Sequence, residues 1–258
     1  MQSAFLLAAL AAFEAGLPFG SAAAMLAGGA HPDWRSALSH NPALAVAAPR
    51  LAAATGYWRP HGLEGVDHFG LGGAASFERW SCVAGASQLG YDRFRERDFG
   101  LAGAFRPAAG WSVGAAAHLL TVTAGTERTE AAVALDAGVT WAGRRLRVGA
   151  AGGRVNAPRF AGGDELPATV RAGFAAEPFD DLTAALDVGW SVADPEVALG
   201  LELRLLPQLA LRCGGRWPPL GYSAGLGFAA GPVGVDYALR YHAQLRDSHI
   251  FGLRVQCW

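Results

Sequence analysis

The chain contains no lysine, so all 21 of its basic residues are arginines, set against 22 acids for a formal net charge of -1. A balance this close to neutral leaves no basic footprint for phosphates, and a nucleic-acid partner is excluded. Arginine without lysine reflects either coding bias or a preference for bidentate pairing with carboxylates inside a lumen. Cysteine is scarce as well. Cys82, Cys213 and Cys257 form no CxxC pair and each falls on the apolar phase of its strand, which suits small lipid-facing side chains better than a disulfide or metal site. Beyond the N-terminus no run is apolar for long enough to span a membrane as a helix. The seven histidines are scattered without ligand spacing, and Gly70-Leu71-Gly72 and Gly225-Leu226-Gly227 sit in strands with no helix following, so neither a metal site nor a phosphate loop is expected. Ser248 and His249 are strand neighbours that point to opposite faces and cannot form a dyad. No catalytic residue and no cofactor is expected.

What the chain does contain is alternation. In Glu196 to Gly214, Val197, Leu199, Leu201, Leu203 and Leu205 alternate with Ala198, Gly200, Glu202 and Arg204, and the pattern resumes after Pro207 as Leu209, Leu211 and Cys213. Period two means β-strand. One face is an unbroken ladder of Leu, while the other mixes Gly and Ala with spaced charges rather than the Lys, Thr, Gln and Glu of a water-facing sheet. That pattern describes a barrel with Leu outward in lipid and small or charged residues inward. Glycine, 35 residues in all, is about twice its usual share and signals bends and close backbone approach.

Alternation begins after Arg50 and predicts strands near 51–58, 66–77, 80–91, 96–106, 111–122, 131–141, 144–152, 167–177, 181–192, 196–205, 207–214, 220–230, 232–241 and 248–257. About fourteen strands of this length close an even-numbered, antiparallel, up-and-down transmembrane barrel. With the N-terminus on the inner side, the inner turns are short, among them Glu78-Arg79 and Ala142-Gly143, whereas outer connections such as Arg59 to Gly65 and Gly153 to Leu166 are longer. Aromatic residues fall beside the turns, Phe77, Trp80, Phe105, Trp111 and Trp141 inside and Tyr57, Tyr91, Trp190, Tyr222 and Tyr241 outside, as interfacial belts do. The competing architecture is a soluble β-sandwich of an exported protein, with the Leu face as its dry core.

The first 50 residues lack this period. Phe5 to Phe13 has the length of a signal-peptide core, so residues 1–13 are expected to be a leader, although no positive charge precedes it. Residues 14–50 carry two short helical starts, at Asp33 and at Asn41-Pro42, where Asn caps and Pro takes the first helical position. Phe19, Met25, Leu26, Trp34 and Leu38 need burial, and a barrel of this size needs filling. This segment is therefore expected to be a plug inside the 51–258 barrel.

Phe19-Gly20, Met25 to Ala30 with Gly28 and Gly29, and Asn41-Pro42-Ala43-Leu44 resemble the opening of the FadL-like outer-membrane proteins, including the PorV/PorQ branch. Asp236-Tyr237-Ala238 and Asp247-Ser248-His249 resemble that family's closing hairpin. Pro32-Asp33-Trp34 stands where the family carries an acidic pair. The resemblance implies a bacterial outer-membrane barrel in contact with membrane lipid, closed by an N-terminal hatch. It leaves two roles open. One is binding or transport of a small hydrophobic or amphipathic molecule, with a lateral gap placed hypothetically at a kink in Gly72-Gly73; the other is a non-transporting role with a secretion-system protein partner.

The inward phase places Asp136, Arg147, Arg171, Asp187, Glu202, Arg204, Arg212, Asp236, Arg240 and Arg254 in the lumen. Two readings follow. They are a lattice of ion pairs, or Arg204, Arg212, Arg240 and Arg254 gather on the last strands to orient an anionic head group.

Overall fold

The computed structural model describes residues 24–91, 94–125, 128–191, 195–242 and 247–257. The expected leader at 1–13, the first part of the 14–50 segment with Phe19, and Trp258 lie outside them.

Fourteen strands follow one another: β1 (Leu51–Arg59), β2 (Asp67–Phe77), β3 (Trp80–Tyr91), β4 (Phe94–Ala108), β5 (Trp111–Ala124), β6 (Arg128–Ala142), β7 (Leu146–Gly153), β8 (Thr169–Phe179), β9 (Leu182–Trp190), β10 (Glu196–Leu206), β11 (Leu209–Trp217), β12 (Gly221–Ala230), β13 (Val233–His242) and β14 (Ser248–Cys257). Each pairs antiparallel with its neighbours, and β14 returns to β1 from Leu51↔Cys257 to Arg59↔His249, which closes the barrel. The strands start and end close to where alternation starts and ends. β6 begins three residues earlier than the pattern near 131, at Arg128, because backbone pairing continues above the apolar belt where Thr129 and Glu130 carry no hydrophobic signal.

Alternation sorts the side chains. In β10, Val197, Leu199, Leu201 and Leu203 are exposed while Ala198, Gly200 and Glu202 are buried. Leu211, Leu226, Val235 and Leu253 stand on the same outer surface, as do the three cysteines, all of them free thiols. A β-sandwich would have hidden these residues, so that alternative falls. An apolar exterior flanked by exposed Phe77, Trp80 and Trp111 at one end and Trp190, Tyr222 and Tyr241 at the other matches a hydrocarbon belt with two interfaces. β2 runs through Gly72 and Gly73 with unbroken register to both β1 and β3. No bulge or register shift marks that position.

One seam is thinner. β6 and β7 pair only from Ala137↔Gly152 to Ala142↔Arg147, so the outer half of β6 lacks a strand partner on that side. Residues 154–168 cover it instead: the Val155 amide donates to the Leu135 carbonyl at 2.8 Å, while Asn156 accepts from Leu135 N at 2.9 Å and donates to Val133 O at 2.7 Å. Phe160 and Leu166 of the same loop turn inward onto Leu120, Ala132 and Ala134.

Residues 24–50 lie within the lumen. Their two short turns of 3₁₀ helix are Trp34–Ser36, capped by Asp33, and Pro42–Ala47, capped by Asn41 with Pro42 at its start. Trp34, Ala37, Leu38, Ala45 and Ala48 pack on inward Ala52, Ala54, Ala74, Val83, Ala102, Ala104 and Ala116 of β1 to β5. This part of the lumen is apolar, with alanines lining most of the wall.

Candidate functional site

The inner segment tracks the wall in the reverse of strand order, and glycines make the room. A Cβ on Gly200 of β10 would stand 2.6 Å from the Met25 carbonyl oxygen, one on Gly173 of β8 2.7 Å from Ala30 N, one on Gly149 of β7 2.6 Å from Gly29 O, and one on Gly114 of β5 2.6 Å from Ala43 N. Gly138 of β6 faces the Asn41 side chain still more closely. Only a residue without a side chain lets backbone approach backbone so nearly.

Polar anchors hold the same path. Asp187 of β9 accepts from Gly28 N and Gly29 N with one oxygen, both at 2.8 Å, a backbone nest around a buried carboxylate. The Asn41 Oδ1 accepts from Ala43 N at 3.0 Å, and its amide faces the carbonyls of Gly29 and Val139 at 3.2 Å and of Ala150 at 3.4 Å. It thus ties the segment to itself and to two strands.

The third anchor is a charge chain. Arg35 donates through Nε and Nη2 to Asp33 at 2.9 Å and through Nη1 to Asp236 at 2.6 Å. Asp236 also accepts from Arg212 at 2.6 Å, and Arg212 continues to Glu202 at 2.7 Å. All five are buried. Burial works against the charge of Arg35, but Asp33 and Asp236 outweigh it and hold the group above the ordinary arginine range. Burial also pushes His31 and His40 below the usual imidazole value, which keeps them neutral within the segment.

The lining residues read from the sequence thus divide. Glu202, Arg212 and Asp236 come together around Arg35. Arg204 stands half exposed near the inner end, 3.8 Å from Glu202. Arg240 lies over the Trp58 ring at 5.3 Å instead, and Arg254 packs beside Gly234. The four arginines make no common cluster. Ser248 accepts from His61 N at 2.8 Å, whereas His249 contacts Tyr237 on the outer face at 2.8 Å. Among the described residues no group of His, Cys, Asp and Glu could hold a metal ion.

On the outer side of Leu38 the lumen changes character. The register sets Trp58 beside His68, His68 beside Leu89, Leu89 beside Glu96 and Glu96 beside Val122, one inward row across β1 to β5. Trp58 Nε1, His68 Nδ1 and both Glu96 oxygens are buried with no hydrogen-bond partner among the described residues. Other acids of this wall have partners. His118 Nδ1 lies 2.9 Å from Asp98 and its Nε2 3.3 Å from Asp136, and Glu130 accepts from Gly162 N at 2.7 Å. Sequence reading passed over Arg35, Trp58, His68 and Glu96. Strand phase alone marks the last three as inward, but whether an inward group has a partner is decided by strands and loops remote in sequence.

No protein-family model matches the chain, and no curated protein resembles it in sequence. Solved structures do resemble it in shape. The Ralstonia pickettii toluene transporter TbuX superposes over 96% of this chain and 100% of its own with a TM-score of 0.76 at 12% identity. The Pseudomonas putida toluene transporter TodX covers 93% of this chain and 97% of its own, with a TM-score of 0.64 at 13% identity. The Acinetobacter baumannii outer membrane protein Omp33 covers 81% and 98%, with a TM-score of 0.55 at 11% identity. TbuX and TodX are FadL-family transporters, and the likeness supports that part of the resemblance rather than its PorV/PorQ branch. At such identities what is shared is architecture: the chain has the closed fourteen-strand fold of FadL-like outer-membrane barrels.

Proposed function

We propose that this protein is a bacterial outer-membrane barrel that admits a small hydrophobic or amphipathic molecule, with residues 14–50 as its plug. The observation that carries the reading is the contrast along the lumen. On the inner side, residues 24–50 are fastened to the wall by Asp187, Asn41 and the Arg35 chain; on the outer side, apolar Leu89, Leu120 and Val122 share the wall with polar atoms that have no hydrogen-bond partner among the described residues. On this reading a molecule entering from outside passes Leu89, Leu120 and Val122 before it reaches the fastened segment. Its shortest way out is sideways into lipid, and the seam above the short β6–β7 ladder is the proposed place. TbuX and TodX, both toluene transporters, agree with this class of cargo.

The test is binding and uptake of toluene. Purified barrel in mild detergent should show saturable, toluene-dependent quenching of tryptophan fluorescence, and cells making it should take up labelled toluene faster than cells making an unrelated barrel. Absence of both signals would remove this reading.

A further inference from the structure

Resting on the uptake reading, we propose that residues 158–166 form a flap whose Phe160 ring holds the cargo's place on the outer lumen wall, and that an apolar ring displaces it on entry. Of residues 159–166 only Phe160 and Leu166 are buried. Both insert into one apolar cluster with Leu120 of β5 and Ala132 and Ala134 of β6, and Val122 packs against it. The Phe160 side chain is a benzene ring on one methylene carbon, so what the wall accommodates there is a tethered alkylbenzene. The room for a free ring is the volume that Phe160 itself fills. Exchanging one ring for the other keeps Leu120, Ala132 and Ala134 covered, which leaves only the wetting of the flap's own apolar groups and the breaking of its latch to oppose the change.

The flap is bonded as a unit of its own. Leu166 N donates to the Pro158 carbonyl and Phe160 N to that of Asp164, both at 2.9 Å, and Arg159 pairs with Glu165. Those bonds survive if it swings out as one piece. Its latch to the wall is of another kind: the Gly162 amide donates to the Glu130 carboxylate of β6 at 2.7 Å, an exposed contact in which water can replace either partner. The hinge lies where the chain leaves β7. Arg154 and Ala157 have φ of 52° and 42°, a left-handed conformation that residues with a Cβ rarely adopt and that persists where neighbours hold it. The neighbours here are Asp136, which accepts from Arg154 N at 2.7 Å, and Leu135, whose carbonyl and amide pair with Val155 N and the Asn156 side chain. A strained hinge, a rigid body and a water-exposed latch make a strap that an incoming ring can lift.

Amide hydrogen exchange on the purified full-length protein in mild detergent, with and without saturating toluene, reads the displacement. Ligands ordinarily slow exchange where they bind; here toluene should speed exchange of the Gly162 amide about tenfold, while the Phe160 and Leu166 amides, bonded within the flap, change little. Affinity gives a second reading. A flap that is out of the site about a tenth of the time weakens binding about tenfold, so Glu130→Ala, which removes the latch, should bind toluene about fivefold tighter. Glu130→Gln, which still accepts the bond, should bind as the unaltered protein does. Phe160→Ala should also bind more tightly and should lose the toluene-dependent change at Gly162, because no ring remains to be displaced. Unchanged or slower exchange at Gly162 in unaltered protein that binds toluene, or no gain in affinity from Glu130→Ala, would overturn the proposal while leaving uptake of hydrophobic molecules standing. Failure of toluene to bind the unaltered protein or any variant would remove the uptake reading itself. Should Phe160→Ala not assemble, exchange at Gly162 in the unaltered protein and the affinity of Glu130→Ala decide by themselves.

Discussion

The inner and outer halves of the lumen are built from the same strands but are filled differently. Against residues 24–50, main-chain groups approach through glycine gaps, Asp236 is shared between two guanidinium groups, and one oxygen of Asp187 sits between two amides while its other is buried with no hydrogen-bond partner among the described residues. Further outward, Trp58 Nε1, His68 Nδ1 and both Glu96 oxygens are buried with no hydrogen-bond partner among the described residues. Satisfied polar groups stabilise and specify; unsatisfied ones cost stability. The difference teaches where to look for structure in this barrel and where to look for cargo.

If the inner half depends on close approach, filling a gap should break it most. Gly114→Leu would drive a side chain into Pro42 and Ala43, and the heat-modifiable folded form on semi-native gels should fall by about tenfold or more. Gly103→Leu is the matched control, since the same β4–β5 wall offers open space at that position. Equal yields from the two would end the glycine argument.

Arg35→Leu tests the charge chain. It strips Asp33 and Asp236 of their shared cation in a buried setting, which should cost about 3–5 kcal/mol and show as a lower midpoint in denaturant titration of the folded barrel. A smaller loss is expected from Asn41→Ala, about 1–3 kcal/mol for carbonyl and amide groups left unpaired. That variant should also raise ion conductance in planar bilayers as the segment loosens from β6 and β7. An unchanged conductance would mean that Asn41 organises the turn and not the closure.

The smallest effect sharpens the outer half. Asn156→Ala removes the side chain that pairs with Leu135 and Val133 at the loop-covered seam. The Leu135 amide should then exchange hydrogen about fivefold faster, as for loss of one bond worth about 1 kcal/mol. The inward residues of β10 and β11 should be unaffected. Faster exchange throughout the barrel would show that Asn156 supports the whole wall and not the seam alone.

Much of the fold was legible because lipid and lumen impose opposite demands on successive residues. Leu199, Leu201 and Leu203 against Ala198, Gly200 and Glu202 state the strand and its outward face without further information. Asn41-Pro42 likewise announces a capped turn, since capping is a matter of adjacent residues. Gly72-Gly73 is less explicit. Glycine in a strand signals a bend or a close neighbour, and these positions keep full register with β1 and β3.

The sequence by itself determined strand number, strand phase, the lipid-facing set and the nonperiodic N-terminal segment, because each is written in local alternation or its absence. Only the tertiary structure decided which charges meet. Arg35 and Asp236 are 201 residues apart, and whether Arg240 joins Arg212 or lies on Trp58 depends on strand tilt and register summed across the closed barrel. The same holds for Glu96. Its inward direction follows from its parity in β4, but its want of a partner follows from where β3, β5 and their neighbours place every other donor, and no local pattern encodes that.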